Sequence, residues 1–377
     1  MEIQRALLDR IMTAINTNKV LLLFGTRRVG KTHLLHQIIQ RIQRPYLFMH
    51  GEDMEVQSLL SRRTAAHYST VIGNHTLLII DEAQAIPQIG QILKLMIDSN
   101  PQLTILATGS SALDLLNQSG EPLTGRSQSY HLYPIAISEL QLDLLSARKQ
   151  LEERLILGSY PELFHMSDWN EKANYLKELI QSYLLKDILS FSGIKHADKI
   201  YSLLKLVAYQ VGSEVSYNEL SRNLGINKVT VENYLDLLTK VFILFKLPSY
   251  STNPRKEISK SAKWYFYDNG IRNAIINDFR PIHMRNDIGQ LWESYFIAER
   301  IKHQSYLSTR AQHYFWRNYH QQEVDLIEVF DGSINAFEIK YNENKKAKSP
   351  PSFQSGYPQA QFNVVNPDNF MEYLTLQ

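Results

Sequence analysis

Cysteine is absent from all 377 residues. That excludes a disulfide framework, a thiolate zinc site and a cysteine nucleophile. Long apolar runs are absent too. The longest, such as Val20–Phe24 and Leu77–Ile80, are strand-length, far short of a membrane span. The stretch from Met1 to Val20 is amphipathic and never apolar enough for a signal peptide. A soluble, cytoplasmic protein with no membrane partner is expected. Nor is there an excess of either charge: 40 basic residues against 38 acidic ones leave a formal +2. A uniformly basic nucleic-acid coat is excluded, while a local basic patch is not. No repeat period and no low-complexity tract occurs. The 21 tyrosines form no stacking motif and read as packing residues. What is present is a 44% apolar share, enough for a real core, in a chain long enough for two or three domains.

The first third alternates strand-like and helix-like runs. Strands are expected at Val20–Phe24, Tyr46–His50, Leu77–Asp81, Leu103–Thr108 and Ser129–Tyr133. Helices are expected over Lys31–Gln43, over most of Met54–Ile72 and over Ile86–Ser99. Such alternation argues for a parallel sheet with helices on both faces. From Ile137 to about Ala208 the pattern is almost wholly helical, broken at Gly158–Pro161 and near Ser192–Gly193. Val211–Asp268 reads as two short helices, a long helix and β-rich sequence. From Ile288 a strong helix reaches Lys302, and strands follow at Tyr314–Arg317, Glu323–Phe330 and Ser333–Lys340. Lys345–Pro351 reads as a solvated loop. Boundaries near 135, 210 and 285 give four segments: 1–135, 136–210, 211–285 and 286–377.

Gly25-Thr26-Arg27-Arg28-Val29-Gly30-Lys31-Thr32 fits the phosphate-loop pattern, and it stands where the mechanism needs it, between a buried strand and a helix. The glycines let backbone N–H groups turn around a β-phosphate, and the helix N-terminus adds partial positive charge. Lys31 would reach the β and γ oxygens and Thr32 would hold Mg²⁺. Gly25 through His33 is the expected nucleotide-binding stretch. Arg27 and Arg28 read either as phosphate contacts or as solvent-facing, with solvent favoured for at least one. His33 and His36 have no acids nearby to suggest a metal pair. Leu77-Leu-Ile-Ile-Asp81-Glu82 ends an apolar strand in two acids. Asp81 is expected to bind Mg²⁺ through water, and Glu82 to orient and deprotonate the attacking water, which favours hydrolysis over transfer to a bound acceptor. A strand at 46–50 separates the two motifs, as in the additional-strand ATPases. Thr108-Gly109-Ser110-Ser111 reads equally as a γ-phosphate sensor or as plain structure. Arg126 reads as an arginine finger, in cis or from a neighbouring copy, or as a surface arginine.

Val215–Asn227 reads as a cap, a short helix and a glycine turn, after which Asn227 caps Lys228–Lys240. That is helix-turn-helix spacing. A hairpin-like stretch follows, Phe242–Tyr267, whose Arg255, Lys256, Lys260 and Lys263 form a basic wing able to grip phosphates. Lid or protein-contact roles compete with DNA reading here, because Glu232 and Asp236 weaken the second helix. In the last segment Asp331-Gly332 is a two-residue hairpin signal. Closing the hairpin at Phe330 and Ser333 places Asp325 opposite Glu338 and Glu323 opposite Lys340, all four on one face by the period-two rule. Facing carboxylates repel, so a divalent cation is expected between them, aided by Lys340. Glu293, on the helix beginning at Ile288, is expected to approach them. Glu, Asp and Glu-x-Lys in that order is the layout of a Mg²⁺-dependent nuclease: Glu293, Asp325 and Glu338 hold metal, and Lys340 stabilises charge developing on phosphate. A solvated salt-bridge cluster is the competing reading.

Taken together these motifs resemble the prokaryotic AAA-type ATPases joined to a C-terminal domain of unknown function with a restriction-endonuclease-like fold. The resemblance runs along the whole chain: Gly25–Thr32, Ile80–Gln84, Thr108–Ser111, Leu123–Arg126, Pro134–Leu140, Leu157–Pro161, Tyr183–Asp187, Asp268–Gly270, Gly289–Glu293, Trp316-Arg317, Glu323–Asp325 and Glu338–Lys340. It implies an α/β protein with a P-loop ATPase domain, a mostly helical middle containing a winged helix, and a C-terminal α/β nuclease-like domain. It implies ATP as the nucleotide. It carries Lys31, Thr32, Asp81 and Glu82 over as ATPase residues, and Glu293, Asp325, Glu338 and Lys340 as the nuclease-type set. DNA is the expected macromolecular partner, a homo-oligomer is allowed, and the alternative is an ATP-gated DNA- or protein-binding module without cleavage.

Overall fold

The computed structural model describes residues 3–110, 123–184, 197–251, 262–342 and 347–375. They fall into two compact units, one of Glu2–Tyr133 with Lys240–Phe242, the other of Pro134–Thr239 with Ile243–Gln377. Ser111, Lys186, Asp187, Ser192, Gly193, Arg255, Lys256, Lys260, Lys345 and Lys346 lie outside the described residues. Among the described residues no helix is long and apolar enough to cross a membrane.

The first unit is a five-stranded parallel sheet. Its strands are β1 (Val20–Phe24), β2 (Tyr46–His50), β3 (Leu77–Asp81), β4 (Thr104–Gly109) and β5 (Ser127–His131), in the order β2-β3-β4-β1-β5. β1, β3 and β4 are buried along their whole length. This is why they read as near-continuous apolar runs rather than alternating ones. The strand that separates β1 from β3 within the sheet is β4, while β2 takes the outer edge. Around the sheet lie α1 (Leu7–Ala14), α2 (Lys31–Arg41), α3 (Met54–Leu60), α4 (Ala65–Ile72) and α5 (Ile89–Ser99). The helical run expected over 54–72 is two helices, because Thr64 caps the second by accepting a hydrogen bond from the His67 N–H. Every strand is parallel, so their C-terminal ends share one edge, and Gly25, Asp81 and Gly109 all sit there.

The second unit begins with α6 (Leu144–Leu157), α7 (Trp169–Leu179) and α8 (Ala197–Tyr209). Then come β6 (Glu214–Val215), α9 (Tyr217–Leu224), α10 (Lys228–Lys240), β7 (Leu244–Pro248) and β8 (Ala262–Phe266), the strands forming an antiparallel sheet in the order β6-β8-β7. Only one short helix precedes α10 where two were expected. Ser216 caps α9, Gly225 ends it in the left-handed region, and Asn227 accepts from the Thr230 N–H at the start of α10. After α11 (Asn269–Ile276) and α12 (Ile288–Leu307) comes a second sheet. Its strands are β9 (Gln312–Arg317), β10 (Glu323–Phe330), β11 (Ser333–Ile339) and β12 (Gln361–Val365), in the order β12-β11-β10-β9, with α13 (Pro351–Gly356) before β12. Trp292 and Phe296 of α12 pack with Phe370 and Phe337, whereas Phe353 of α13 packs with Trp316.

A buried polar junction ties 134–160 to 268–303. Asp268 accepts from the Ser159 N–H at 2.7 Å and from the Ile271 N–H at 3.2 Å, capping α11. Glu299 accepts from the Ile137 N–H at 2.6 Å and pairs with Lys302 at 2.7 Å. Gly158, which ends α6, has φ +74°, and a Cβ there would lie 2.0 Å from Asp268 Oδ1. Gly158→Ala is therefore expected to destabilise this unit by about 3 kcal/mol. Its melting temperature should fall by roughly 6–12 °C in thermal circular dichroism. An unchanged melting curve contradicts the role given to this junction.

Candidate nucleotide site and C-terminal acid cluster

The loop after β1 is held from behind. A Cβ at Gly25 would meet the Leu132 carbonyl oxygen at 2.3 Å, so only glycine lets the loop lie this close to the chain after β5. The Arg5 guanidinium, 3% exposed, donates to the Val29 and Tyr133 carbonyls, both at 2.7 Å. Val29 is buried, Arg27 half-buried, and Arg28, His33 and His36 are exposed. Gly30 takes φ +93° and α2 starts at Lys31, so the positive end of that helix faces the loop. Lys31 is buried. Its ammonium donates to the Gly25 carbonyl at 3.0 Å and the Thr26 carbonyl at 3.2 Å, and lies 4.0 Å from Glu82 Oε1. A cation is thus anchored inside the loop that would cradle phosphates.

Asp81 ends β3 with 1% exposure. Its Oδ2 accepts from the Thr32 hydroxyl at 2.8 Å, and its Oδ1 from the Thr108 hydroxyl at 2.5 Å and the Glu82 N–H at 3.1 Å. Thr108, fully buried in β4, also accepts from the Glu82 N–H at 2.9 Å. One hydroxyl thereby fixes both acids. Glu82 takes φ +50°, uncommon for a side chain bearing a Cβ. Gln84 Nε2 donates to Glu82 Oε2 at 2.5 Å, while Gln84 Oε1 is buried with no partner among the described residues. The Thr32 hydroxyl and the Asp81 carboxylate are hard oxygen donors side by side at the phosphate loop, which fits Mg²⁺ carried on nucleotide phosphates. Arg126 is elsewhere. Its carbonyl accepts from the Val20 N–H, at the start of β1, and its side chain pairs with Asp98 at 2.5 Å. Roughly 13 Å of strand separates Val20 from Phe24. The cis finger is thereby corrected, since Arg126 sits at the opposite edge of the sheet from the loop.

The hairpin turns at Asp331-Gly332, with Phe330 paired to Ser333 and Leu326 to Phe337. Regular pairing stops there. β10 carries one extra residue against β9 between Val324 and Ile327. Those two residues, three apart, lie in one hydrophobic cluster, which strict alternation forbids. Of the four side chains expected on one face, the three acids are engaged by two different lysines. Asp325 accepts from the Ile339 N–H at 2.7 Å and lies 3.6 Å from the Lys340 ammonium, which is 2.6 Å from Glu338. Glu323 instead pairs with Lys263 and, at 3.4 Å, with Arg317.

Lys263 is the second correction. Expected on an exposed wing, it lies in β8 with 2% exposure, its ammonium bridging Glu323 and Glu293, the latter at 3.2 Å. The Tyr265 hydroxyl donates to Glu293 Oε1 at 2.5 Å. Burial pushes Glu293 up to about 7, against the pull of Lys263. Burial also pushes Glu338 upward, reinforced by the Asp325 carboxylate. Burial alone would lower Lys263, but Glu293, Glu323 and Asp325 outweigh it and hold the ammonium well above the usual lysine range. Among the described residues no three His, Asp or Glu side chains are gathered to hold a metal. As they stand, Glu293, Asp325 and Glu338 do not fit a divalent cation.

The contacts of Arg5, Lys263 and Tyr265 are invisible to local sequence reading. The partners of Arg5 are 24 and 128 residues away, and Lys263 lies 30 residues from Glu293. Gln84 offered a signal, following the two acids by three and two residues.

Three family models match successive parts of the chain. Residues 17–141 match an AAA domain, 148–281 a domain of unknown function (DUF8612) and 288–373 a domain of unknown function (DUF4143). The chain thus carries an AAA-type P-loop ATPase domain followed by a DUF4143 domain. An uncharacterized protein of Mycobacterium tuberculosis is 26% identical over 335 residues, 88% of this chain and 72% of that one. An uncharacterized protein of Methanocaldococcus jannaschii is 23% identical over 373 residues, covering 93% and 81%. Among solved structures, the Pif1 helicase of Candida albicans is 13% identical, covering 40% of this chain and 44% of that one, with a TM-score of 0.26. A signal transduction ATPase with numerous domains from Pyrococcus horikoshii is 12% identical, covering 80% and 45%, with a TM-score of 0.25. The chain spans less than half the length of either structure, and scores this low carry no argument.

Thr108→Val keeps the shape of its site but leaves the Glu82 N–H and Asp81 Oδ1 without that hydroxyl. Loss of a hydrogen bond to a charged group, about 1.5–3 kcal/mol, should lower ATP turnover roughly ten- to a hundredfold. Binding of a fluorescent ATP analogue should change by less than about threefold, since the phosphate loop is untouched. Equal losses in binding and turnover would refute this placement of Thr108.

Proposed function

We propose that this chain is an ATP-hydrolysing switch of the AAA type, coupled to a winged helix and to a nuclease-like C-terminal domain that acts on DNA. The observation that carries the reading is the unbroken hydrogen-bonded chain Thr32–Asp81–Thr108–Glu82 beside a loop that anchors the Lys31 ammonium. In this reading the backbone of Gly25 through His33 surrounds the phosphates and Lys31 offsets their charge. Thr32 and Asp81 would hold Mg²⁺, which would offset charge on the nucleotide phosphates. Glu82 aligns and deprotonates the attacking water, and Gln84 fixes its carboxylate. Arg126 serves a nucleotide only if it belongs to a neighbouring copy, which makes a homo-oligomer part of the proposal.

For the middle segment, the antiparallel β6-β8-β7 sheet around α9 and α10 supports a winged helix. Its outward helix face is mixed: Lys228 pairs with Glu232 at 3.6 Å, and Asp236 is exposed. Any grip on DNA therefore rests on phosphates more than on base edges. For the C-terminal domain, the four-stranded sheet, α12 and the set Glu293, Asp325, Glu338 and Lys340 support a nuclease-type origin. One observation favours the second reading, an ATP-gated binding module without cleavage: lysines already engage these acids.

ATP turnover measured with and without plasmid DNA, in Mg²⁺ or Mn²⁺, tests the whole. Lys31→Ala should lose nucleotide binding at least tenfold. Glu82→Gln should keep binding and lose turnover a hundredfold or more. DNA should raise turnover in the unmodified chain and have no effect in Lys31→Ala. Nicking that vanishes in Asp325→Asn supports the nuclease reading. Intact plasmid alongside DNA-stimulated turnover supports the binding module.

A further inference from the structure

The acids of the C-terminal domain already have a cation. The Lys263 ammonium is 2% exposed and bridges Glu293 and Glu323. It is fixed by neighbours rather than merely near them. The Tyr265 hydroxyl, from the same strand, holds the other side of Glu293 Oε1 at 2.5 Å, and the ammonium lies 5.4 Å from the centre of the Phe315 ring. A cation over an aromatic face gains further stabilisation when withdrawn from water. On the far side, Lys340 engages Asp325 and Glu338. Four carboxylates therefore face two ammonium groups, one of which comes from outside the C-terminal sheet, from β8.

We propose that Lys263 is the resident cation of this acid cluster, so that a divalent cation enters only when the Lys263 ammonium leaves. The proposal rests on reading Glu293, Asp325 and Glu338 as a metal-binding set. With the Lys263 ammonium and the Tyr265 hydroxyl both on Glu293 Oε1, a divalent cation at that oxygen would meet a positive charge already in place, and their repulsion in a site screened from water weakens its binding. An ammonium donates hydrogen bonds to carboxylates without ordering them into a coordination shell, which agrees with the acids lying in two groups rather than one. Since Lys263 belongs to β8, the seating of that strand and the charge state of the cluster are one variable. Whatever displaces the strand also frees Glu293.

Mn²⁺ alone, titrated into the full chain without nucleotide, tests this. Free Mn²⁺ is read by electron paramagnetic resonance and stability by thermal unfolding. The wild-type chain should bind weakly. Lys263→Met should bind at least tenfold more tightly, and Mn²⁺ should raise the melting temperature of that variant and not of the wild type. Adding Asp325→Asn should abolish the gain. If Lys263→Met alone does not fold, Lys263→Met with Glu323→Gln removes one charge of each sign and should show the same gain. Equal, tight binding by wild type and Lys263→Met, lost in both with Asp325→Asn, would overturn the role of Lys263 while leaving the metal-binding set intact. No binding by any folded variant would overturn the metal-binding set and this proposal with it.

Discussion

A carboxylate withdrawn from water must be given hydrogen bonds or an opposite charge, and this constraint orders both halves of the molecule. Asp81, Asp268, Glu293, Glu299 and Glu328 are all buried or nearly so. Each is met by a group whose position then becomes fixed. Asp268 takes backbone N–H groups from two segments, and Glu299 takes a lysine and a backbone N–H. Glu328 takes both arms of the Arg300 guanidinium. Removing one partner from such a pair costs about 3–5 kcal/mol, because the other is left charged and dry. The acids thus act as pins between segments far apart in sequence.

The two sites answer the constraint in opposite ways. Around Asp81 the partners are neutral: two threonine hydroxyls and a backbone N–H. Neutral donors leave the carboxylate its full negative charge, available to an incoming cation. Around Glu293, Glu323, Asp325 and Glu338 the partners include ammonium groups, which cancel charge as well as donating. Burial then decides the remainder, holding Glu293 near 7, where a small change in surroundings alters its charge. The first site is open to a cation, and the second is already partly neutralised by lysines.

How far each site is legible in the sequence follows from the distance over which its geometry is set. The phosphate loop is local: a strand, eight residues and a helix, each fixed by its neighbours in the chain. The two acids at the end of β3 are legible for the same reason, since a buried parallel strand is an apolar run and its end is marked by charge. The hairpin at Asp331-Gly332 is legible from its turn, and its register holds as far as Leu326 with Phe337. Beyond that point a single extra residue in β10 re-aims the side chains. Nothing in Glu-Val-Asp-Leu announces it, because charged and apolar residues alternate there as in a regular strand. Lys263 misleads for a related reason. Among Arg255, Lys256 and Lys260 it reads as one more solvated cation, and only β8 pairing on both sides, with β6 and β7, withdraws it from water. Arg126 misleads because a loop arginine beside a nucleotide motif gives no hint of which end of the sheet it occupies.

The strand that withdraws Lys263 also explains why the second unit does not part near residue 285. Tyr250, just past β7, donates its N–H to the Phe315 carbonyl of β9 at 2.6 Å, and Ser249 bridges Phe315. Arg317 of β9 reaches Glu214 of β6 at 3.1 Å as well as Glu323. The middle sheet and the C-terminal sheet are thus joined by backbone bonding at one edge and by shared ion pairs at the acids. A sheet whose central strand carries a charge that offsets the C-terminal acids cannot shift without changing that offset. A displacement of the middle sheet is therefore felt at Glu293 as a change in electrostatics, carried by the single strand β8.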